Sequence, residues 1–343
     1  MPGNRIEIGG PYFEDFEVGQ IMPDAPAVTI TAGHAAVHQA LFGDRLRLPL
    51  DHPLSQRITG HDQPLANPSL VCNVAIGQTT YASQRVKANL FYRGLVFRCP
   101  VYIGDTIHTT TRVAALKQNL AKPGRPATGL VVLEMRVANQ RDEEVLLFWR
   151  CPMIPCRDPQ ANTGHADSFD AIPAEIDLQA VKAFVPPAWR LNLFRQTVAG
   201  SHFDDLVAGT TYAITSRDTI TCAPELVRMT LNIAVTHTDA ASSIYGKRLV
   251  YGGHTISMAA AQITHALPNL VTLVAWRSCD HTAPVFEGDI LRTEVTIDQT
   301  LPLDQGGGLV DLHAIVYAER GDQAPEPGRD IQVLDWRVLG LMA

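Results

Sequence analysis

The chain predicts a duplicated α+β fold, and three observations carry that expectation. First, short segments recur in one order. Tyr12-Phe-Glu-Asp-Phe-Glu-Val-Gly19 resembles His202-Phe-Asp-Asp-Leu-Val-Ala-Gly209, and Thr29-Ile30-Thr31 matches Thr219-Ile220-Thr221. Pro100-Val-Tyr-Ile-Gly-Asp105 matches Pro284-Val-Phe-Glu-Gly-Asp289, Gly129-Leu-Val-Val-Leu matches Gly308-Leu-Val-Asp-Leu, and Trp149-Arg150 matches Trp336-Arg337. The spacing drifts by only a few residues, which indicates internal duplication. Second, each copy holds one stretch of helical length without a polar face wide enough to meet water, over about 68–82 and 254–267; such a helix is enclosed on most sides. Third, the segments after it alternate, as in Thr106-Ile-His-Thr-Thr-Thr-Arg-Val-Ala, the pattern of antiparallel strands with one packed face. A helix followed by a run of antiparallel strands is α+β.

Taken in order, residues 1–11 read as a loose arm. A short strand then leads to a loop and short helix over 31–43, and again over 222–234. A variable loop precedes each apolar helix. The strands predicted in the first copy are Val86–Phe97, Thr106–Leu116, Leu130–Ala138 and Glu144–Cys151. Those in the second are Leu270–Asp280, Ile290–Asp298, Leu309–Ala318 and Asp330–Leu339. Turn chemistry separates them at Lys122-Pro-Gly-Arg-Pro and Asp304-Gln-Gly-Gly-Gly. Residues 156–200 belong to neither copy; they begin polar and carry one helix, Ala174–Phe184, ended by Pro186-Pro187. The expected organisation is therefore 12–155, a connector over 156–200, and 201–343.

Composition excludes several classes of function. Among 343 residues, 46% hydrophobic and 18% charged content fits a globular protein with a large core. A net charge of −7 argues against nucleic acid as the main partner. No apolar run approaches the ~18–20 residues of a membrane span, and the N-terminus lacks a secretory apolar core. The six cysteines are scattered without a CxxC or metal-ligand spacing, so they read as reduced residues of a cytoplasmic protein that holds no metal.

The chemistry concentrates in the second copy. Tyr251-Gly252-Gly253-His254 opens the helix that ends before Pro268. A glycine pair there permits close approach to the backbone and leaves free N–H groups at a positive helix end, suited to a developing negative charge. The alternative is a loop glycine pair opening an ordinary core helix. Upstream lies Thr230-Leu-Asn-Ile-Ala-Val-Thr-His237-Thr-Asp239.

With Pro284-Val-Phe-Glu-Gly-Asp289, these segments resemble the C-terminal half of MaoC-like enoyl-CoA hydratases and dehydratases. That family carries an Asp, a His five residues later in an H-x-D pair, a glycine opening the central helix, and a PV-x-x-GD turn. The resemblance covers both copies, the first more diverged, and implies a double hotdog. The size, the duplication and the Tyr12-Phe-Glu-Asp-Phe opening most resemble the mesaconyl-CoA hydratase (β-methylmalyl-CoA dehydratase) branch. The resemblance implies a hydro-lyase without a cofactor, CoA being part of the substrate, and a homodimer.

Hydrating a double bond conjugated to a thioester needs a base for water, donors for the enolate oxygen and a proton for the α-carbon. His237 is the candidate base, since an ordinary imidazole titrates near pH 6.5. The N–H groups of Gly253 and His254 are the candidate donors, and Asp239 is expected to orient the loop or the imidazole. One departure stands out: the position five before His237 is Asn232, where the family carries Asp. Asn holds water by hydrogen bonds and exchanges no proton at neutral pH. The first copy offers a rival pair, Asp44 after Gly43 and His52 in a longer loop, but its helix opens Ala66-Asn-Pro-Ser-Leu without glycine. Arg93 and Arg277 occupy matching strand positions and are candidates for a substrate carboxylate or for structural ion pairs. Arg98 stands behind them as a further candidate. Lys247, Arg248, Arg85 and Lys87 are candidate CoA-phosphate contacts or solvated charges. A hotdog thioesterase and a non-catalytic acyl-CoA-binding protein are the competing functions.

Overall fold

A computed structural model describes residues 5–120, 124–320 and 330–343. The start of the N-terminal arm and the predicted turn residues Lys122 and Pro123 lie outside them. The first copy runs β1 (Val28–Thr29), α1 (Ala32–Phe42), α2 (Arg47–Leu50), α3 (His52–Thr59), α4 (Pro68–Gln78), β2 (Ala88–Phe97), β3 (Thr106–Gln118), β4 (Thr128–Asn139) and β5 (Glu144–Pro155). Two helices follow, α5 (Leu178–Ala183) and α6 (Leu191–Thr197). Then come β6 (Thr211–Ala213), β7 (Asp218–Thr219), α7 (Ala223–Met229), α8 (Val235–Thr238), α9 (Gly252–Ala266), β8 (Leu270–His281), β9 (Ile290–Pro302), β10 (Gly308–Glu319) and β11 (Asp330–Met342).

All strands join one sheet in the order β1-β3-β4-β5-β2-β8-β11-β10-β9-β6, with β7 also on β9. The order is a mirror about β2–β8, where Tyr92 pairs with Cys279 and Val96 with Ala275. Strand β3 shows why the alternation was legible: Ile107, Thr109, Thr111 and Val113 turn inward while their neighbours are half-exposed. The enclosed helices are α4, buried at every residue, and α9, buried from Gly253 to Thr264. One glutamine on each makes a matching bond to a strand carbonyl. Gln78 Nε2 donates to Ile107 O at 3.1 Å, and Gln262 Nε2 donates to Leu291 O at 3.1 Å. Between the helices, Asn73 Nδ2 donates to Ser257 Oγ at 2.8 Å, so contact between the copies costs no unpaired amide. Phe13 and Phe203 lie in the space a side chain would occupy on Gly129 and Gly308, which explains why both repeat markers are glycine.

Two expectations need correction. The stretch after Asp44, read as a loop, forms α2 and α3. Asp51 accepts from Leu54 N at 2.9 Å as the cap of α3, and Leu48, Leu54 and Ile58 are buried; capping and an apolar face make this a helix start. The segment between the copies holds a second helix, α6, beyond the predicted Pro186-Pro187 stop, docked through buried Leu191 and Phe194.

At the α1–α9 contact, Phe42 is flanked by two histidine rings, His38 at 4.8 Å and His254 at 4.9 Å between centroids. Burial holds His38 down to about 3 and His254 to about 4, from an ordinary 6.5. The unfolded chain therefore takes up these protons before the folded one. The stability they contribute is present above about pH 6.5 and is lost as pH falls through that interval toward 4. Urea unfolding at pH 7, 5.5 and 4.5 should show this decline, with a shallower slope in His38→Leu.

Candidate active site

A cavity of about 240 Å³ lies where the end of α4 and strands β2 and β5 meet the segment from Asn232 to Gly252 and the end of β8. It is lined by Tyr92, Arg150, Asn232, His237, Tyr251, Gly252 and His281, among others. A larger and more open cleft, about 720 Å³, sits under the N-terminal arm beside Tyr12, Arg85 and Arg157. Its arginines are engaged, Arg157 with Asp15 and Arg85 Nε with Gly10 O, and no histidine lines it. The smaller cavity is where the chemistry collects.

His237 lies on α8, a single turn between Asn232 and the cavity wall. Its Nδ1–H donates to Leu249 O at 2.8 Å, which leaves Nε2 as the acceptor nitrogen. The ring is half-buried, and its centroid is 5.6 Å from that of Tyr251. Burial, reinforced by the Arg150 charge, outweighs the Leu249 hydrogen bond and lowers its pKa to about 4, so the imidazole is neutral at pH 7. Asn232 is buried, and its Oδ1 accepts from Ala234 N at 3.0 Å. Its amide Nδ2 therefore remains as a donor. Asp239 does not reach the imidazole: it is exposed, and its carboxylate accepts from Ala241 N at 2.9 Å and from the Ser242 hydroxyl. It shapes the loop, while the Leu249 carbonyl orients the ring.

Helix α9 starts without a side-chain cap, because Tyr251 occupies that position. Among the described residues, nothing accepts from the Gly252 and Gly253 amides, and of these two residues only Gly252 lines the cavity. The His254 amide is not free as expected; it donates to Tyr251 O at 2.8 Å, and the His254 ring turns away onto Phe42. Both glycines are required sterically. A side chain on Gly252 would overlap the His281 ring, and one on Gly253 would overlap Asn73 and the Tyr251 ring.

The expected arginines lie elsewhere. Strand alternation points Tyr92 into the cavity and Arg93 to the opposite face, where its guanidinium stacks on Phe91 at 4.2 Å. Arg277 follows inward-facing Trp276 and pairs with Asp311 at 2.6 Å and Glu175 at 3.8 Å. Arg98 pairs with Glu144. The cavity arginine is Arg150, only 4% exposed. His281 is the second residue the sequence reading missed; its Nε2 is buried without a partner, and burial together with the His237 charge holds its pKa at about 4. The Tyr251 hydroxyl is likewise buried and unpartnered.

In the first copy the corresponding place is closed. Asp44 Oδ1 accepts from Leu46 N at 2.9 Å, as Asn232 does from Ala234, but its other oxygen accepts from Asn67 Nδ2 at 2.7 Å. Burial raises its pKa against those hydrogen bonds. Asn67 also caps α4, whose first residue is Pro68 and so offers no N–H. His52 is exposed at the start of α3. Among the described residues, no group of His, Cys, Asp and Glu could hold a metal ion, and all six cysteines are unpaired.

Comparison with known proteins shows the fold and the family. The chain is 47% identical to a conserved hypothetical protein of Mycobacterium tuberculosis, Rv0216, described as a double hotdog. The TM-score is 0.88, and 98% of this chain and 100% of that one are covered. A putative MaoC domain dehydratase from Chloroflexus aurantiacus is 29% identical, with a TM-score of 0.84 and 97% of each chain covered. A β-methylmalyl-CoA dehydratase of Chloroflexus aurantiacus is 34% identical over 324 residues, 91% of this chain and 89% of that protein. The fold is thus a double hotdog, α+β in class. Residues 4–283 match the family described as mesaconyl-CoA hydratase, and the chain belongs to that family of hydro-lyases.

Proposed function

We propose that this chain reversibly adds water across the double bond of an enoyl-CoA thioester, with mesaconyl-CoA and β-methylmalyl-CoA as the preferred pair. The observation that carries the reading is the convergence, in one cavity, of a neutral imidazole with a fixed tautomer and an unpaired amide at the start of α9. In the hydration direction, His237 Nε2 takes a proton from a water held by Asn232 Nδ2, and the oxygen bonds to the β-carbon. The electron pair moves to the thioester oxygen, which the Gly252 N–H stabilises where a helix end is positive. The α-carbon then recovers the proton from Nε2. A single group handles the proton both ways because Asn232 has none to exchange. Burial favours this return, since it disfavours the imidazolium.

Water, imidazole and thioester supply every atom moved, so the reaction as read needs no cofactor. Residues 12–155 shape the far wall of the cavity through Tyr92 and Arg150, and residues 201–343 supply the base. Arg85 and Lys87 flank a groove beside the cavity and are the candidate partners for CoA phosphates; Lys247 and Arg248 are engaged with Phe286 and Glu287. A cytoplasmic homodimer completes the reading. No helix among the described residues is long and apolar enough to cross a membrane.

The test is loss of enoyl-thioester absorbance on mixing with mesaconyl-CoA, measured beside a thiol reagent. Absorbance loss without free CoA is the expected result. Free CoA in equal amount indicates a thioesterase, and neither signal indicates a binding protein.

A further inference from the structure

Arg150 is an anomaly in the core. It lies on β5, 4% exposed, and lines the same cavity as His237. Nη2 donates to three neutral oxygens, Thr79 O, Thr79 Oγ1 and Ser83 Oγ, at 3.3, 2.7 and 2.7 Å. Nε is buried without any acceptor, and no carboxylate among the described residues forms an ion pair with it. A buried guanidinium without a counter-ion is expensive, and proteins retain one only where something compensates it.

The duplication shows that the fold does not require a cation at this point. Arg150 lies opposite Leu133 on β4, four residues beyond Gly129. In the second copy the residue opposite Leu312, four beyond Gly308, is Val338, fully buried. The equivalent inward position in the second copy is thus apolar.

We infer that Arg150 is the specificity-determining residue that receives a free carboxylate on the acyl group of the substrate. The inference rests on the acyl-thioester reading of the cavity and deepens it. Nη2 is held by the α4 end through Thr79 and Ser83, which fixes the plane of the fork. Nη1 makes no hydrogen bond among the described residues and remains as the charge-assisted donor to an oxygen of the carboxylate. A ligand with a methyl group in that place leaves the guanidinium desolvated and unpaired, so discrimination comes from both terms.

The experiment compares two saturated thioesters that cannot be hydrated, succinyl-CoA and butyryl-CoA, which differ only in a carboxylate or methyl group on the β-carbon. Calorimetry should show succinyl-CoA binding about tenfold or more tighter to the unaltered protein, the scale of a charge-assisted pair. In Arg150→Met the two affinities should become equal through weaker succinyl-CoA binding, with butyryl-CoA retained within about threefold. Arg150→Lys, which keeps the charge but loses the fork, should fall between them. A melting temperature of the ligand-free Met variant at or above that of the parent would show that the fold is intact. Equal affinities in the unaltered protein, or a preference that survives in Arg150→Met, would overturn the inference. Because no turnover is measured, a preference for succinyl-CoA stands even if mesaconyl-CoA is not hydrated, and hydration without the preference removes only the role of Arg150.

Discussion

Replacing His237 by alanine is expected to lower kcat by about 10² or more, the scale of a lost general base, with little change in melting temperature. The ring is half-buried at the cavity, and its one hydrogen bond to the Leu249 carbonyl can pass to water that enters the vacated space. The pH dependence separates this role from a packing role. A His base at its ordinary pKa would lose activity on the acid side near pH 6.5, whereas burial holds His237 at about 4. The neutral form is the active one, so kcat/KM should stay flat from pH 8 to about 5 and fall only as pH approaches 4. The rival pair in the first copy supplies the control. His52→Ala should leave kcat unchanged because the side chain is exposed away from the cavity. Asp44→Asn should change melting rather than kcat, since Asp44 holds Leu46 N and Asn67. Loss of turnover in either of these variants, with activity retained in His237→Ala, would transfer the base role to the first copy.

Much of the architecture was legible because it is written in periodicity and repetition. The repeat placed the strands and both buried helices to within a few residues at most ends. The arginines were misplaced, Arg93 and Arg277 for Arg150, for one reason. Matching Trp149-Arg150 to Trp336-Arg337 treats the pairs as equivalent, yet they face opposite ways. Trp336 is inside against Trp276, while Trp149 is half-exposed outside and Arg150 is inside. Strand alternation makes a one-residue slip a change of face, and bulges in these ladders allow that slip between copies. The same rule puts Arg93 and Arg277 on the outer face, although their repeat spacing is correct. Asp239 failed differently: an H-x-D pair on a four-residue helix does not bring the carboxylate back to the ring, and a backbone carbonyl twelve residues ahead takes that part. No local pattern announces such a contact. His281 stands at the end of β8, and its role depends on α9 beginning with a residue that leaves room for the ring.

That residue gives the sharpest test of the oxyanion site. A backbone donor cannot be deleted by shortening a side chain, but proline removes it, and the first turn of a helix tolerates proline because its N–H needs no intrahelical partner. The first copy already does this: α4 begins with Pro68 after its Asn67 cap, where α9 begins with Gly252 after Tyr251. Gly252→Pro therefore reproduces in the second copy the helix start that the first one carries. Both proline and alanine add a Cβ that presses on His281, so Gly252→Ala, which keeps the N–H, measures the steric part alone. Alanine should lower kcat through displacement of His281. Proline should lower it by a further 10²–10³, roughly, the cost of one lost oxyanion donor, while the two variants melt within a few degrees of each other. The loss should appear in kcat more than in KM, because the charge on the thioester oxygen develops only in the transition state. Equal kcat in the alanine and proline variants would mean that the Gly252 amide contributes nothing, and the stabilisation of the enolate would have to come from the unpartnered Tyr251 hydroxyl or His281 Nε2.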